Sequence, residues 1–414
     1  MDDLLDQIQV LQFSDRAAAE MLLMDFIRQT FPQLTVRALT LRPLAVSLNS
    51  FNGFLLTENE EKLFFKTHIE TDGVLGEYYH AEQLASAGYP ILQPILQSHQ
   101  AGKQLVIYPY VDSPSVFDIA WKIEQGDIQE AEMLAAAQHR LDDQTFHIYR
   151  SSLEWQDPKQ AEAQPVHQLF HHRLTGGRLD RFYNQPNAAL DVNAIPVPMS
   201  ELRQKHWRIN GSVFYDTLDS IIRRATKLLM PSQPGASIVG HGDAHNGNVF
   251  FHRQPDGASL SFFDPAFAGR HHPLLDLTKP LFHNVFCMWM YYPSVMQESL
   301  RLDVRIAGDT IIVDHDYRLH DVRMMFLRSK TERVLIPTLR ELKLRGWLPH
   351  DWRAYLKASL FCCPFLTRNL LDAQTFSPEI ALLGLTQAVE MGAESHEKQS
   401  LIDSTLDEVE QSIL

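Results

Sequence analysis

The chain has 414 residues, 45% of them apolar, enough for a sizeable core arranged as two lobes or as one large domain with an insertion. Its 37 Lys and Arg against 51 Asp and Glu give a formal net charge of −14, which argues against a general nucleic-acid binder, because phosphate neutralisation needs a basic surface. Three cysteines without disulfide or zinc spacing, an acidic start unlike a secretory signal and no run of about 18 apolar residues point to a cytoplasmic chain with no membrane span.

Residues 14–30 carry apolar positions at helical spacing behind Ser14 as N-cap, so an amphipathic helix is expected there. Residues 34–56 alternate in two extended runs joined by S-L-N-S-F-N-G. In that connection Ser50, Asn52 and Gly53 are small or amide residues that let backbone N–H groups approach a phosphate, although any polar hairpin turn has the same composition. The next strand, 62–67, places Lys66 in an apolar L-F-F-K-T, where a buried lysine needs a partner. Residues 74–87 are helical in pattern and stop at Gly88-Tyr89-Pro90. Glu77 leads that pattern and is the preferred partner, whereas Glu82 lies on another helical face and reads as solvated. A surface lysine with its stem packed on the sheet is the alternative. L-V-I-Y-P-Y-V at 105–111 is a buried strand interrupted by proline.

From 116 to 228 the chain reads as helical, broken at Asp157-Pro158 and at 195–198. Arg173, Arg178 and Arg181 gather with three histidines between 167 and 181, either as the rim of a pocket for an anionic substrate or as a solvated helix face paired with acids elsewhere. The pairs His171-His172 and His271-His272 lack the spacing of a zinc site. I-V-G-H-G-D-A-H-N-G-N-V-F-F, the turn Pro255-Asp256-Gly257, and S-F-F-D-P-A-F-A-G-R-H-H-P-L-L-D-L-T-K then occupy 238–279. Apolar pairs bracket each polar cluster, so Asp243, Asn248 and Asp264 fall at strand ends. An Asp, an Asn five residues later and a second Asp after a hairpin suit phosphoryl transfer: Asp243 accepts the proton of an attacking hydroxyl, and Asn248 and Asp264 offer hard oxygens to Mg²⁺. Residues 280–296 read as a buried helix, 318–342 as a helix that kinks near Pro337, and 358–371 as a further helix. The tail from 394 to 414 is acidic and amphipathic.

H-G-D-A-H-N-G-N-V followed by F-F-D-P-A-F resembles the aminoglycoside phosphotransferase and choline kinase superfamily, and the F-D-P-A version is similar to fructosamine kinases and methylthioribose kinases. The resemblance implies an α+β, two-lobed protein-kinase-like fold. Its small β-rich N-terminal lobe would be 1–110 and its mainly helical lobe 111–414, with catalytic and metal loops at 238–280 and a substrate-binding insertion at about 116–230. It further implies ATP and Mg²⁺, with Lys66, paired with Glu77, holding the α- and β-phosphates and the backbone from Tyr108 through Tyr110 to Val111 reading the adenine edge. His241 and Asp276 would order the catalytic loop, and His245, Arg270 and Arg173 would face substrate or phosphate. The implied activity is phosphorylation of a hydroxyl on a small metabolite, favouring a sugar, an amino sugar or a sugar-derived compound. An atypical protein kinase fits less well, because only eleven residues separate Asp264 from Asp276 and no A-P-E element follows. A silent nucleotide-binding scaffold is opposed by the intact set of Lys66, Asp243, Asn248 and Asp264. No pattern speaks to oligomeric state.

Overall fold

The structure, a computed structural model, describes residues 4–42, 50–68, 80–98 and 105–414. It is α+β and two-lobed. Five antiparallel strands, β1 (Val36–Leu41), β2 (Ser50–Thr57), β3 (Lys62–His68), β4 (Leu96–Ser98) and β5 (Leu105–Pro109), form one sheet in the order β1-β2-β3-β5-β4. Side chains alternate along each strand, so Phe51, Leu55, Leu63, Phe65, Leu105 and Ile107 share one face. That face packs on α1 (Leu4–Ser14) and α2 (Arg16–Thr30) through Leu5, Ile8, Leu23, Phe26 and Ile27. The N-cap of α2 is Asp15, whose carboxylate accepts the Ala18 N–H at 3.1 Å; Ser14, the expected cap, is instead the last residue of α1.

Ser50, Asn52 and Gly53 were expected in a connection, but β2 already begins at Ser50, and Asn52 pairs with Lys66 and Gly53 with Phe65 across the β2–β3 ladder. A Cβ on Gly53 would lie 2.1 Å from the Thr40 carbonyl oxygen and 2.7 Å from the Phe65 ring. Glycine is needed there for sheet packing rather than for phosphate approach. Of the helix expected over 74–87, the structure describes α3 (Ala81–Ala87), closed by Gly88 at φ 103°; Glu77 lies outside the described residues.

The larger core is built on α4 (Val116–Glu124), α5 (Ala131–Ser152) and the helices Pro273–His283, Trp352–Leu366, Pro378–Gly392 and Leu401–Ile413. The region expected to be helical also holds strands. His206–Ile209 and Ser212–Phe214 join Leu302–Ala307 and Thr310–His315 in a four-stranded sheet whose inner face buries Trp207, Ile209, Phe214, Ile311 and Val313. Ile195–Pro198, read as a breaker, is a strand paired with Ala189–Val192. The buried helix expected at 280–296 is divided: Pro273–His283 ends at Asn284, and Met288–Tyr291 and Pro293–Ser299 are separate short helices. Near Pro337 the backbone widens into a π-helical turn at Thr331–Leu335 and resumes as Ile336–Leu344, because proline has no N–H to continue the ladder. The C-terminal helix Leu401–Ile413 buries Ile402, Leu406, Val409 and Ile413 against the same core, and Asp403 pairs with the buried Lys357. No helix among the described residues is long and apolar enough to cross a membrane.

Candidate active site

The open face of the sheet, opposite α1 and α2, borders a cleft of about 710 Å³. The alternation that buries Phe51, Gly53 and Leu55 turns Asn52 and Phe54 of β2 toward it, together with Lys62, Phe64 and Lys66 of β3 and Tyr108 of β5. Leu92 and the stacked pair Phe250 and Phe263, with ring centroids 4.2 Å apart, complete the apolar lining. The expected Tyr108, Tyr110 and Val111 line the cleft; Gly53 does not. The N–H of Tyr110 donates to the Lys62 carbonyl at 3.3 Å, and the Lys62 ammonium sits 3.8 Å from the Tyr110 ring centroid. Sequence reasoning missed Phe54, Phe64, Phe250 and Phe263; the period-2 spacing of Asn52 with Phe54 and of Phe64 with Lys66 carries that signal once β2 starts at Ser50.

At the floor of the cleft, Lys66 Nζ donates to both carboxylate oxygens of Asp264, at 2.6 and 2.7 Å. Asp264 adopts φ 57°, the left-handed region, directly after the hairpin of Val249–Gln254 and Gly257–Phe262. The expected ligand Asn248 is bound into the same corner: its carbonyl accepts the Phe263 N–H at 3.0 Å and its side-chain amide donates to the Asp243 carbonyl at 3.0 Å. The strand Gly235–Gly240 leads into this loop. Gly242, at φ 79°, passes so close to Phe267 that a Cβ would lie 2.2 Å from its carbonyl oxygen. Asp276 is buried and accepts from the Gly242 N–H at 2.5 Å, from His271 Nε2 at 3.0 Å and from the Tyr149 hydroxyl. His241 is buried as well, its Nε2 3.0 Å from the Phe263 carbonyl and its Nδ1 3.4 Å from the Asp243 N–H. Both contacts are satisfied when Nε2 carries the proton.

One carboxylate oxygen of Asp243, Oδ1, is buried without a hydrogen-bond partner among the described residues, and Oδ2 lies 3.8 Å from His245 Nε2. Burial would push this carboxyl up, but the combined charges of His245, Lys279, His241 and Arg173 outweigh burial and hold it below the usual range. Asn248 and Asp264 are hard oxygen donors in one corner, a set that suits Mg²⁺, which takes few protein ligands and keeps water and phosphate oxygens. Among the described residues no three His, Cys, Asp or Glu side chains group as a self-sufficient metal site.

The three residues expected near substrate divide. His245 caps the turn Asn246–Asn248 by accepting the Gly247 N–H at Nδ1, 3.1 Å away, and faces Asp243 with Nε2. Arg270 is engaged elsewhere, with Glu154 at 2.8 Å and the Ser152 carbonyl at 2.6 Å, which removes it from the substrate set. Arg173 is half-buried, its Nη1 sealed from solvent without a partner, and its charge acts on Asp243. Its neighbours differ: Arg178 donates to the carbonyls of Leu366 and Thr367, and Arg181 stands over the Phe182 ring. Two further groups were missed. Lys279 and His283 follow Asp276 along the helix Pro273–His283, at the helical spacing of three and seven residues that L-L-D-L-T-K-P-L-F-H already displays.

A model of the phosphotransferase enzyme family matches residues 47–309. No curated protein matches the chain by sequence. Among solved structures, the chain is similar to an ethanolamine kinase of Plasmodium vivax, at 10% identity over 94% of this chain and 94% of that one, with a TM-score of 0.47. An amicoumacin kinase in complex with AMP-PNP and Ca²⁺ aligns at 14% identity over 92% and 95%, with a TM-score of 0.49. An aminoglycoside phosphotransferase in complex with ADP and hygromycin B aligns at 11% identity over 89% and 98%, with a TM-score of 0.42.

Proposed function

The chain belongs to the phosphotransferase enzyme family; from that premise we propose that it is a phosphotransferase with an alcohol group as acceptor, moving the γ-phosphoryl group of ATP, with Mg²⁺, onto a hydroxyl of a small metabolite. The observation that carries this reading is the contact of Lys66 with Asp264, because it joins the aromatic cleft to the loop that holds Asp243 and Asn248. Residues 1–110 form the nucleotide-binding lobe, with the base between Tyr108 and Phe263 and the phosphates at Lys66. The loops at 238–280 belong to the lobe from 111 onward, and the insertion at about 116–230 contributes to acceptor choice through Arg173. The F-D-P-A resemblance favours a sugar, an amino sugar or a sugar-derived acceptor. Three buried thiols accord with a cytoplasmic setting.

Asp243 presents its unpartnered Oδ1 to the acceptor hydroxyl, orients it in line and takes its proton as the new bond forms. Mg²⁺, when held by Asn248 and Asp264, supplies the positive charge that neutralises the β- and γ-oxygens. Asp276 and His241 hold the backbone N–H groups of Gly242 and Asp243, so the carboxylate is positioned before substrate arrives.

Mg²⁺-dependent ADP release measured across a panel of hydroxylated metabolites tests this reading. Stimulation by one compound is expected; a protein that binds neither ATP nor Mg²⁺ overturns it. Within that assay, Lys66→Met removes a charge-assisted contact to phosphate worth about 1.5–3 kcal/mol, so the KM for ATP should rise ~10- to 100-fold. Unchanged nucleotide affinity would remove Lys66 from its role.

A further inference from the structure

Lys279 is 3% exposed, on the helix Pro273–His283, one turn beyond Asp276. A lysine buried so deeply ordinarily has a carboxylate partner. Lys279 forms no ion pair with any described residue; its Nζ has His283 Nε2 at 3.5 Å and the Phe170 ring centroid at 6.0 Å. His283 is itself neutral, since burial holds its pKa well below the ordinary value, and its Nδ1 lies 3.0 Å from the Tyr291 hydroxyl. If Nδ1 donates to that hydroxyl, Nε2 is left to accept from Lys279, a tautomer that orients the lysine without neutralising it. The Cys363 thiol next to it is pushed up to about 11 by burial and is therefore no counterion.

Arg173 brings a second cation to the same place, with Nη1 buried and unpartnered. The charges of Arg173 and Lys279 act on each other and both act on Asp243. The nearby acids are otherwise committed, Asp264 to Lys66 and Asp276 to Gly242, Tyr149 and His271. Two buried cations thus act on one carboxylate, in a chain whose net charge is −14. Burial disfavours the charge on both, and an added anion would offset that penalty.

We propose that Arg173 and Lys279 receive an oxyanion carried by the acceptor itself, a carboxylate or a phosphate, while Asp243 addresses its hydroxyl. The acceptor is then a hydroxy acid, a sugar acid or a sugar phosphate, not a neutral or cationic alcohol. The planar fork of Arg173 suits either oxyanion, and Lys279 adds a point charge behind it. This rests on the phosphotransferase reading of Asp243.

The test uses the full chain and matched pairs: glycerate, glycerol 3-phosphate and glycerol; gluconate, glucose 6-phosphate and glucose. Binding is followed by calorimetry without nucleotide, and turnover by ADP release with Mg²⁺-ATP. The anionic member of at least one set should bind ~10-fold or more tightly than its neutral counterpart, and Lys279→Met and Arg173→Gln should each erase that preference while leaving ATP affinity unchanged. The carboxylate and phosphate arms tell the two oxyanions apart. Because Lys279→Met removes an uncompensated buried charge, its melting temperature should hold or rise, which separates lost recognition from lost folding. Equal binding of neutral and anionic members, no saturable binding of any acid, or variants that lower kcat for all acceptors with KM unchanged would each overturn the proposal. An ATP titration reads the premise separately: acids bound through Lys279 without nucleotide binding would keep this site and refute the kinase reading, whereas nucleotide binding without acid preference does the reverse.

Discussion

Asp243→Asn should lower acceptor-dependent turnover by about 10²- to 10⁴-fold, with ATP affinity nearly unchanged. Asparagine keeps the volume and can still hydrogen-bond a hydroxyl, so what it removes is the ability to take the proton and the negative charge facing Arg173 and Lys279. The transition state of phosphoryl transfer is loose and asks little basicity of its base, which places the loss toward the lower end of that range. The folded carboxyl is held below its ordinary value, so it stays ionised at neutral pH. The acid limb of the wild-type rate profile should accordingly lie below the ordinary aspartate value of about 3.9. Steady-state ADP release beside an equilibrium titration of ATP checks both parts; a variant with full turnover would mean that another group handles the hydroxyl.

Asp276→Ala should cost about 3–5 kcal/mol of folding stability, the range for removing one partner from a buried charged network. Three donors converge on this carboxylate, and its loss leaves the Gly242 N–H, the Tyr149 hydroxyl and His271 facing each other in a dry core. The effect depends on pH with a definite sign. Burial alone would raise the Asp276 carboxyl, but His271, Tyr149 and the Gly242 N–H outweigh it and depress the folded value. A depressed carboxyl contributes stability that is fully present above the unfolded value of about 3.9 and is lost as pH falls through the folded one. Denaturant unfolding of wild type and Asp276→Asn should therefore differ most near neutrality and converge in acid. A gap that widens in acid would mean that the Asp276 carboxylate does not carry the dependence.

How much of this was legible in the sequence varied with the distance over which each contact acts. The strand–loop–strand reading of 238–264 rests on neighbours a few residues apart, and the structure puts Asp243, Asn248 and Asp264 in one corner as the local pattern suggests. The Lys66 contact with Asp264 spans 198 positions, beyond the reach of any local pattern, and Glu77, the partner that helical spacing nominated, lies outside the described residues. Gly53 failed for a different reason: a glycine between an amide and an aromatic looks like a turn until the register places Phe65 and Thr40 against it. The short strands at 189–214 and 302–315 were lost because three to six residues carry too little period to stand against surrounding helix formers. Lys279 was in plain view, but a lysine in an apolar helix announces nothing until its lack of a carboxylate is seen.

The Lys66–Asp264 contact has a thermodynamic corollary for the proposed roles. In the free protein each of the two charges satisfies the other. A phosphate arriving at Lys66 would compete with Asp264 for the ammonium, and a divalent cation arriving at Asp264 would compete with Lys66 for the carboxylate. Together they replace both halves of the pair at once. Nucleotide and metal are consequently expected to be linked ligands through this ion pair, and by linkage each strengthens the other's affinity by the same factor.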